Sequence, residues 1–165
     1  MKELGVSAAG PPQGANSAPS GGSAAAELAN EAASVGVVNS TARGRCHCGR
    51  VRFVANFPSR FCAHCHCESC RRAHSAAFVT WVGFPSGQVR ITDGADALAT
   101  HESSPATFRR FCRHCGTKLF FESSRWAGET HVVLAAFDEP VDRPPAGHAF
   151  YDEHVPWLPA LRDPP

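Results

Sequence analysis

The sequence lacks an excess of charge of either sign. Its 165 residues carry a formal net charge of +1, from 16 lysines and arginines against 15 aspartates and glutamates. Domains that bind nucleic acid through its phosphates are usually strongly basic, so this balance argues against nucleic acid as the main ligand. We therefore expect no nucleic-acid partner.

Long apolar runs are absent as well. The longest are the length of a strand, such as residues 132–137, whereas a transmembrane helix needs about 20 apolar residues. The N-terminus has one early lysine, Lys2, and no apolar run of signal-peptide length. We therefore expect a cytoplasmic protein with no membrane partner, in which thiols stay reduced.

The first 38 residues contain no aromatic side chain and are rich in alanine, glycine, serine and proline. Such a segment cannot bury enough apolar surface to offset the conformational entropy lost on ordering. We predict a disordered tail over residues 1–38 and one folded domain over residues 39–165, because the remaining length suits a single domain.

Cysteine, by contrast, is plentiful. Seven of the eight cysteines fall into three short clusters: Cys46 and Cys48, then Cys65, Cys67 and Cys70, then Cys112 and Cys115. Since cytosolic thiols stay reduced, these spacings favour metal ligands over disulfides. Thiolate sulfur selects zinc or iron–sulfur clusters, and zinc is satisfied by four ligands at about 2.3 Å. Seven sulfurs divide into a closed site of four and an open site of three.

The first and last clusters each end in a glycine, Gly49 and Gly116. A glycine after a ligand turn lets backbone amides tilt toward the sulfurs without a side-chain clash. Two such turns, far apart in sequence, predict a structural site that ties the two ends of the sheet together. Zinc binding at a site of this kind contributes on the order of 10 kcal/mol to folding.

The central cluster predicts a different kind of site. Three sulfurs on zinc leave one position open for water or substrate. Arg71 and Arg72 follow at once, and nearby positive charge favours thiolates and anionic ligands. Cys62 could instead supply a fourth sulfur, because Cys62-x-x-Cys65 is itself ligand spacing, and this would make the site structural. Three weaker candidates for the same position are His64, His66 and His74.

The rest of the chain predicts a mainly β fold of short antiparallel strands with little helix. Segments of strand character recur between turn signals, at residues 51–55, 78–84, 88–92, 98–102, 107–111, 118–122 and 130–137. Residues 68–73 alone have the pattern of a helical turn. We expect the proline-rich last thirty residues to follow the surface without regular structure.

The other polar and aromatic residues are less informative about function. We expect three arginines to face solvent from strands: Arg50, Arg52 and Arg109. We expect the tryptophans to pack in the core or at sheet edges: Trp81, Trp126 and Trp157.

Taken together, the motifs resemble the glutathione-dependent formaldehyde-activating enzyme family, also called the centromere protein V family. The resemblance extends over residues 40–162. It is carried by Gly44-x-Cys46-x-Cys48-Gly49-x-Val51-x-Phe53, Cys65-His66-Cys67-x-x-Cys70-Arg71 and Arg110-Phe111-Cys112-x-x-Cys115-Gly116-x-x-Leu119. Cys62 has no counterpart in the family motif.

This resemblance implies a β-tent fold that binds two zinc ions. By matching motif positions, the structural zinc would be held by Cys46, Cys48, Cys112 and Cys115. The second zinc, of catalytic type, would be held by Cys65, Cys67 and Cys70. The implied activity is condensation of formaldehyde with glutathione to S-(hydroxymethyl)glutathione, which is a carbon–sulfur lyase reaction run in reverse.

Three functions are consistent with the sequence. The leading hypothesis is a zinc enzyme acting on a small thiol adduct such as that of glutathione, with Arg71 or Arg72 attracting a substrate carboxylate and with no evident general base. The second is a non-catalytic interaction module with two structural zincs, which a site closed by Cys62 would favour. The third is a zinc chaperone or a thiol-based redox sensor.

Overall fold

The computed structural model describes residues 40–159, so the predicted tail over residues 1–38 lies outside the described residues. The described part of the chain contains one short helix, α1 (Glu68–His74). Its strands are β1 (Thr41–Arg45), β2 (Arg52–Asn56), β3 (Phe61–Cys65), β4 (Val79–Pro85), β5 (Val89–Asp93), β6 (Leu98–Ser104), β7 (Thr107–Cys112), β8 (Lys118–Ser123), β9 (Glu129–Val133) and β10 (His148–Ala149).

The strands form two sheets. A three-stranded sheet has the order β1-β2-β5, and a seven-stranded sheet has the order β10-β3-β4-β9-β8-β7-β6. All pairs are antiparallel except β10 with β3. The predicted mainly β class, with short strands and little helix, is confirmed. No helix within residues 40–159 has the length and apolar character needed to cross a membrane.

Every predicted strand segment overlaps a strand, and the helical turn predicted at residues 68–73 corresponds to α1. The segment predicted at residues 130–137 is shorter than expected, because its end forms a 3₁₀ turn at Leu134–Ala136. The prediction of an irregular C-terminal segment is wrong at β10, where His148 and Ala149 pair with β3. A strand of two residues is too short for any sequence period to mark it.

The seven-stranded sheet is covered on both faces. Alternation along β4 shows this directly, because Val82 and Trp81 are both buried but belong to different clusters of packed side chains. The Val82 face packs against the three-stranded sheet, and the rings of Phe53 on β2 and Phe120 on β8 are 5.2 Å apart there. The Trp81 face packs against α1, and the candidate site lies on this side.

Candidate functional site

The first cysteine site joins the turn after β1 to the turn after β7. The Sγ atoms of Cys46, Cys48, Cys112 and Cys115 all lie within 4.8 Å of one another. Cys48 Sγ is 3.5 Å from Cys46 Sγ and 3.8 Å from Cys112 Sγ. All eight cysteines, which lie between residues 46 and 115, are free. These four sulfurs could therefore hold one metal ion.

Matching turns present the sulfurs of this site. Gly49 and Gly116 adopt φ values of 74° and 75°, in the left-handed region that favours glycine. Their amides donate to the carbonyls of Cys46 and Cys112, at 2.9 and 2.8 Å. The Val51 amide then donates to Cys46 Sγ at 3.3 Å. The glycines thus allow the chain to close around the sulfurs, as their position in the sequence predicts.

Thr117 supports the ionised form of a sulfur in the same site. Its Oγ1 accepts from the His47 amide at 3.1 Å, which leaves the hydroxyl hydrogen to be donated to Cys115 Sγ at 3.2 Å. Desolvation opposes ionisation of Cys115, but the hydrogen bonds from Thr117 and Cys48 together outweigh it and lower the pKa of this thiol to about 5. A thiolate is the form that binds a metal ion.

The second cysteine site lies where β3 leads into α1. Cys65 ends β3, Cys67 caps the N-terminus of α1, and Cys70 lies within the first turn of the helix. Their three Sγ atoms lie within 4.8 Å of one another. Cys65 Sγ is 3.5 Å from Cys67 Sγ, which also accepts the Cys70 amide hydrogen at 3.4 Å. These three sulfurs could hold a second metal ion.

Cys62 is not part of this group. Its side chain is 2% exposed and packs in the core between the two sheets, whereas Cys65 packs beside Trp81 on the opposite face of the seven-stranded sheet. Side chains alternate along a strand, so residues three apart point to opposite faces. Desolvation raises the pKa of the Cys62 thiol to about 11, which keeps it neutral. This geometry does not support the alternative in which Cys62 closes the second site.

The three histidines proposed as weaker candidates have other contacts. His64 Nδ1 hydrogen-bonds Thr80 Oγ1 at 2.8 Å, and His66 Nε2 hydrogen-bonds His148 Nδ1 at 2.8 Å. His74 lies edge-on to the Trp81 ring, with centroids 5.2 Å apart. Within residues 40–159, none of the three brings a ring nitrogen into the group formed by the sulfurs.

The three-sulfur site borders a cavity of about 910 Å³. Aromatic side chains and arginines form much of its lining: Phe61, Trp81, Phe121, Trp126 and Phe150, with Arg60, Arg109, Arg125 and Arg143. None of the four sulfurs of the first site lines it. The second site therefore adjoins a space large enough for a ligand, whereas the cysteines of the first site do not line that space.

Arg109 contributes a buried cation to this site, and the prediction that it faces solvent is wrong. Its side chain is 8% exposed. Nη2 donates to Ser69 Oγ at 2.9 Å, Nε donates to Ser103 Oγ at 3.2 Å, and Nη1 is 3.9 Å from Cys70 Sγ. The guanidinium lies 5.0 Å from the centroid of the Phe121 ring. Alternation along β7 puts Arg109 on the face that holds the cavity, and a sequence alone does not show which face that is.

The pKa of Cys70 responds to these neighbours. A hydrogen bond with Cys65 and the positive charge of Arg109 lower the pKa of the Cys70 thiol to about 5, against the desolvation caused by burial. The arrangement therefore favours negative charge on the Cys70 sulfur beside a fixed cation, whereas the hydrogen bond with Cys70 raises the pKa of Cys65 and desolvation raises that of Cys67. A metal ion bound there would meet at least one sulfur that is readily ionised.

The suggestion that Arg71 or Arg72 contacts a substrate is wrong for this geometry, because neither lines the cavity. Arg71 Nε donates to the backbone carbonyl of His66 at 2.8 Å. Arg72 forms an exposed ion pair with Glu68 at 2.7 Å. The cations at the cavity come instead from distant segments, which no local sequence pattern brings together.

Comparison with curated proteins finds distant relatives. A protein of Halomonas elongata named "Putative glutathione-dependent formaldehyde-activating enzyme" is 27% identical over 131 residues, covering 70% of this chain and 78% of that protein. An uncharacterised lyase of Schizosaccharomyces pombe is 31% identical over 78 residues, covering 47% of this chain and 55% of that protein.

Comparison with a solved structure identifies the fold, and comparison with family models identifies the family. A crystal structure of a Rhodobacter sphaeroides protein superposes with a TM-score of 0.55 at 22% identity, covering 65% of this chain and 99% of that one, which shows a shared fold. The family model described as glutathione-dependent formaldehyde-activating enzyme matches residues 41–153. The resemblance in the cysteine motifs is thus confirmed, and this chain belongs to the glutathione-dependent formaldehyde-activating enzyme family.

Proposed function

We propose that this chain is a zinc-dependent carbon–sulfur lyase-like enzyme that makes or breaks the adduct of a small thiol with an aldehyde, as an S-(hydroxymethyl)glutathione synthase does. The observation that carries this proposal is the convergence of three sulfurs at the wall of a 910 Å³ cavity. Family membership and the lyase name of the yeast relative support the same reaction class.

The donor sets fit two zinc ions with different roles. Four convergent sulfurs satisfy the tetrahedral coordination of a structural zinc, and three leave the open position of a catalytic one. We assign Cys46, Cys48, Cys112 and Cys115 to the first role, and Cys65, Cys67 and Cys70 to the second. When bound at the second site, zinc would supply a positive centre that favours the ionised form of an incoming thiol.

The proposed reaction needs no oxidant or reductant. In the forward direction a bond forms between the thiol sulfur and the aldehyde carbon, the carbon–oxygen π bond breaks, and the thiol proton ends on the oxygen. The reverse direction breaks the carbon–sulfur bond and restores thiol and aldehyde. Arg109 would hold a fixed positive charge beside the sulfurs while negative charge passes from sulfur to oxygen.

Charged groups at the cavity match a thiol that carries carboxylates and an amine. Arg125 is exposed, lies 5.1 Å from the Trp126 ring, and has no acidic partner within residues 40–159. We assign it to bind a substrate carboxylate, because a guanidinium pairs with carboxylates through two parallel hydrogen bonds. Glu68 and Glu153 also line the cavity and could accept hydrogen bonds from an ammonium group.

The proposed activity is tested at equilibrium, because glutathione and formaldehyde also condense without a catalyst. NMR exchange spectroscopy measures how fast the adduct and free glutathione interconvert. We expect zinc-loaded wild type to raise this rate above that in buffer, and Cys67→Ser to abolish the increase. Cys62→Ser serves as the matched control, since its sulfur lies outside the site, and should retain the wild-type rate. If the exchange rate with the wild type equals that in buffer, the proposed function is wrong.

A second prediction concerns the open position itself. In cobalt-substituted protein, glutathione should change the visible absorption, because an added thiolate alters the ligand field of cobalt. Cys62→Ser should leave the resting spectrum unchanged, because Cys62 packs on the opposite face of the sheet. If Cys62→Ser instead weakens the absorption bands of thiolate-bound cobalt before glutathione is added, Cys62 is a ligand. The interaction-module hypothesis would then take precedence.

A further inference from the structure

One wall of the cavity consists of aromatic rings packed around a buried histidine. The centroid of the His131 ring lies 4.9 Å from that of Phe61, 5.6 Å from those of Phe121 and Trp126, and 6.5 Å from that of Trp81. All five residues line the cavity. Desolvation lowers the pKa of His131, although its Nε2 lies 2.8 Å from Glu129 Oε2 and this carboxylate acts in the opposite direction. We call these five residues the aromatic wall.

Strand register holds this wall in place. Phe61 pairs with Gly83, Gly83 with His131, His131 with Phe121, and Phe121 with Arg109 across neighbouring strands. Residues paired directly across a sheet share a face. Gly83 leaves room in this row, since a Cβ there would lie 2.2 Å from Cε1 of Phe61. The Phe61 ring can therefore lie over β4 and complete the wall.

The wall adjoins the sulfurs directly. Trp81 and Phe121 belong to the same cluster of buried side chains as Cys65 and Cys70, with Trp126 packed against it. A substituent on a carbon bonded to a sulfur at this site would therefore contact the rings. In the formaldehyde adduct that carbon carries only two hydrogens and a hydroxyl group, so the adduct has no apolar substituent to place against the rings. The cavity is also near the upper end of the range of roughly 300–1,000 Å³ usual for small-molecule ligands.

We infer that the cavity takes thiol adducts whose sulfur-bound carbon carries an apolar group, preferably an aromatic ring. This inference rests on the proposed function and names its substrate class, an aromatic or large apolar aldehyde in place of formaldehyde. A ring in this position would be removed from water and could make offset or edge-to-face contacts with Phe121 and Trp126.

Two thioether probes test the wall without requiring turnover. S-benzylglutathione and S-methylglutathione differ only in the ring, and calorimetry on the full zinc-loaded chain gives the affinity of each. We expect the benzyl probe to bind at least about tenfold more tightly, because each buried apolar group of methylene size contributes roughly a fourfold factor. Neither probe carries a free thiol, so the comparison reports on the wall alone.

Substitutions in the aromatic wall test which residues produce the preference for the benzyl probe. Trp126→Ala should reduce the benzyl-to-methyl ratio several-fold, and Phe61→Leu should do the same in a variant that keeps an apolar side chain. Trp157→Ala is the matched control, because Trp157 does not line the cavity. The prediction that Trp157 packs in the core or at a sheet edge is wrong, since it is 71% exposed. Circular dichroism and zinc content establish that each variant is folded. A ratio reduced by Trp126→Ala and unchanged by Trp157→Ala supports the inference.

Other results would overturn it. Equal affinities for the two probes, or no binding of either, would show that the wall does not recognise the substituent. Exchange of the formaldehyde adduct is measured separately. If the protein catalyses this exchange but binds the two probes equally, the inference is wrong and the proposed function stands. If the protein prefers the benzyl probe but catalyses exchange of neither the formaldehyde adduct nor the benzaldehyde adduct, the binding preference stands and the proposed function is wrong.

Discussion

Cys112→Ser should unfold the chain under conditions in which the wild type is folded, whereas Cys67→Ser should leave the fold intact. Cys112 is completely buried and joins turns 64 residues apart through its contact with Cys48. Zinc binding at a closed four-sulfur site contributes on the order of 10 kcal/mol to folding, which equals or exceeds the whole stability of many domains. Loss of one ligand therefore weakens the metal binding that holds these two turns together.

The second site should behave differently because it borders a cavity rather than joining distant segments. Cys65, Cys67 and Cys70 lie within six residues of one another, so a metal ion there closes only a short loop. Elemental analysis should give two zinc ions per chain in the wild type and one in Cys67→Ser. Thermal melting followed by circular dichroism should give a much lower midpoint for Cys112→Ser alone. Equal midpoints for the two variants would show that the structural and catalytic roles are wrongly assigned.

The sequence identifies the cysteine sites because the signal is local. A Cys-x-Cys or Cys-x-x-Cys turn followed by glycine has a backbone geometry that its own residues determine, and Gly49 and Gly116 adopt the left-handed conformation in the structure. The strands are predictable for a similar reason, since alternation marks residues such as Phe53 and Ala55 as facing one side.

The substrate side of the site is not predictable in this way. Arg109 and Arg110 are adjacent and chemically identical, yet Arg109 reaches the cavity and Arg110 forms an ion pair with Glu122 at 2.8 Å. Which of the two faces the cavity depends on what covers each face of the sheet, and that depends on contacts with α1. Cys62 illustrates the same limit, because its spacing suits a ligand while its strand position directs it into the core.

Substitution of Arg109, but not of Arg110, should strongly reduce the affinity for glutathione. Arg109→Met should weaken glutathione binding to cobalt-substituted protein by about 10- to 100-fold, as expected when a hydrogen-bonding cation is removed from beside charged sulfur. The buried guanidinium offsets negative charge at the sulfurs, and each thiolate that binds adds more. Methionine retains an apolar side chain of similar reach, so the loss reports on charge and not on packing.

Arg110→Met is the matched control for this variant, because it removes an arginine from the neighbouring position, which does not line the cavity. It should bind glutathione with wild-type affinity, even if loss of the ion pair with Glu122 lowers its melting temperature.

The affinity of Arg109→Lys for glutathione should fall between those of the wild type and Arg109→Met. Lysine keeps the charge but cannot reproduce the planar arrangement that contacts Ser69, Ser103 and the Phe121 ring together. Titrations followed by cobalt absorption give all four affinities, and cobalt content shows whether the site remains loaded. If Arg109→Met and Arg110→Met bind glutathione equally well, the cation beside the sulfurs has no part in holding the thiol.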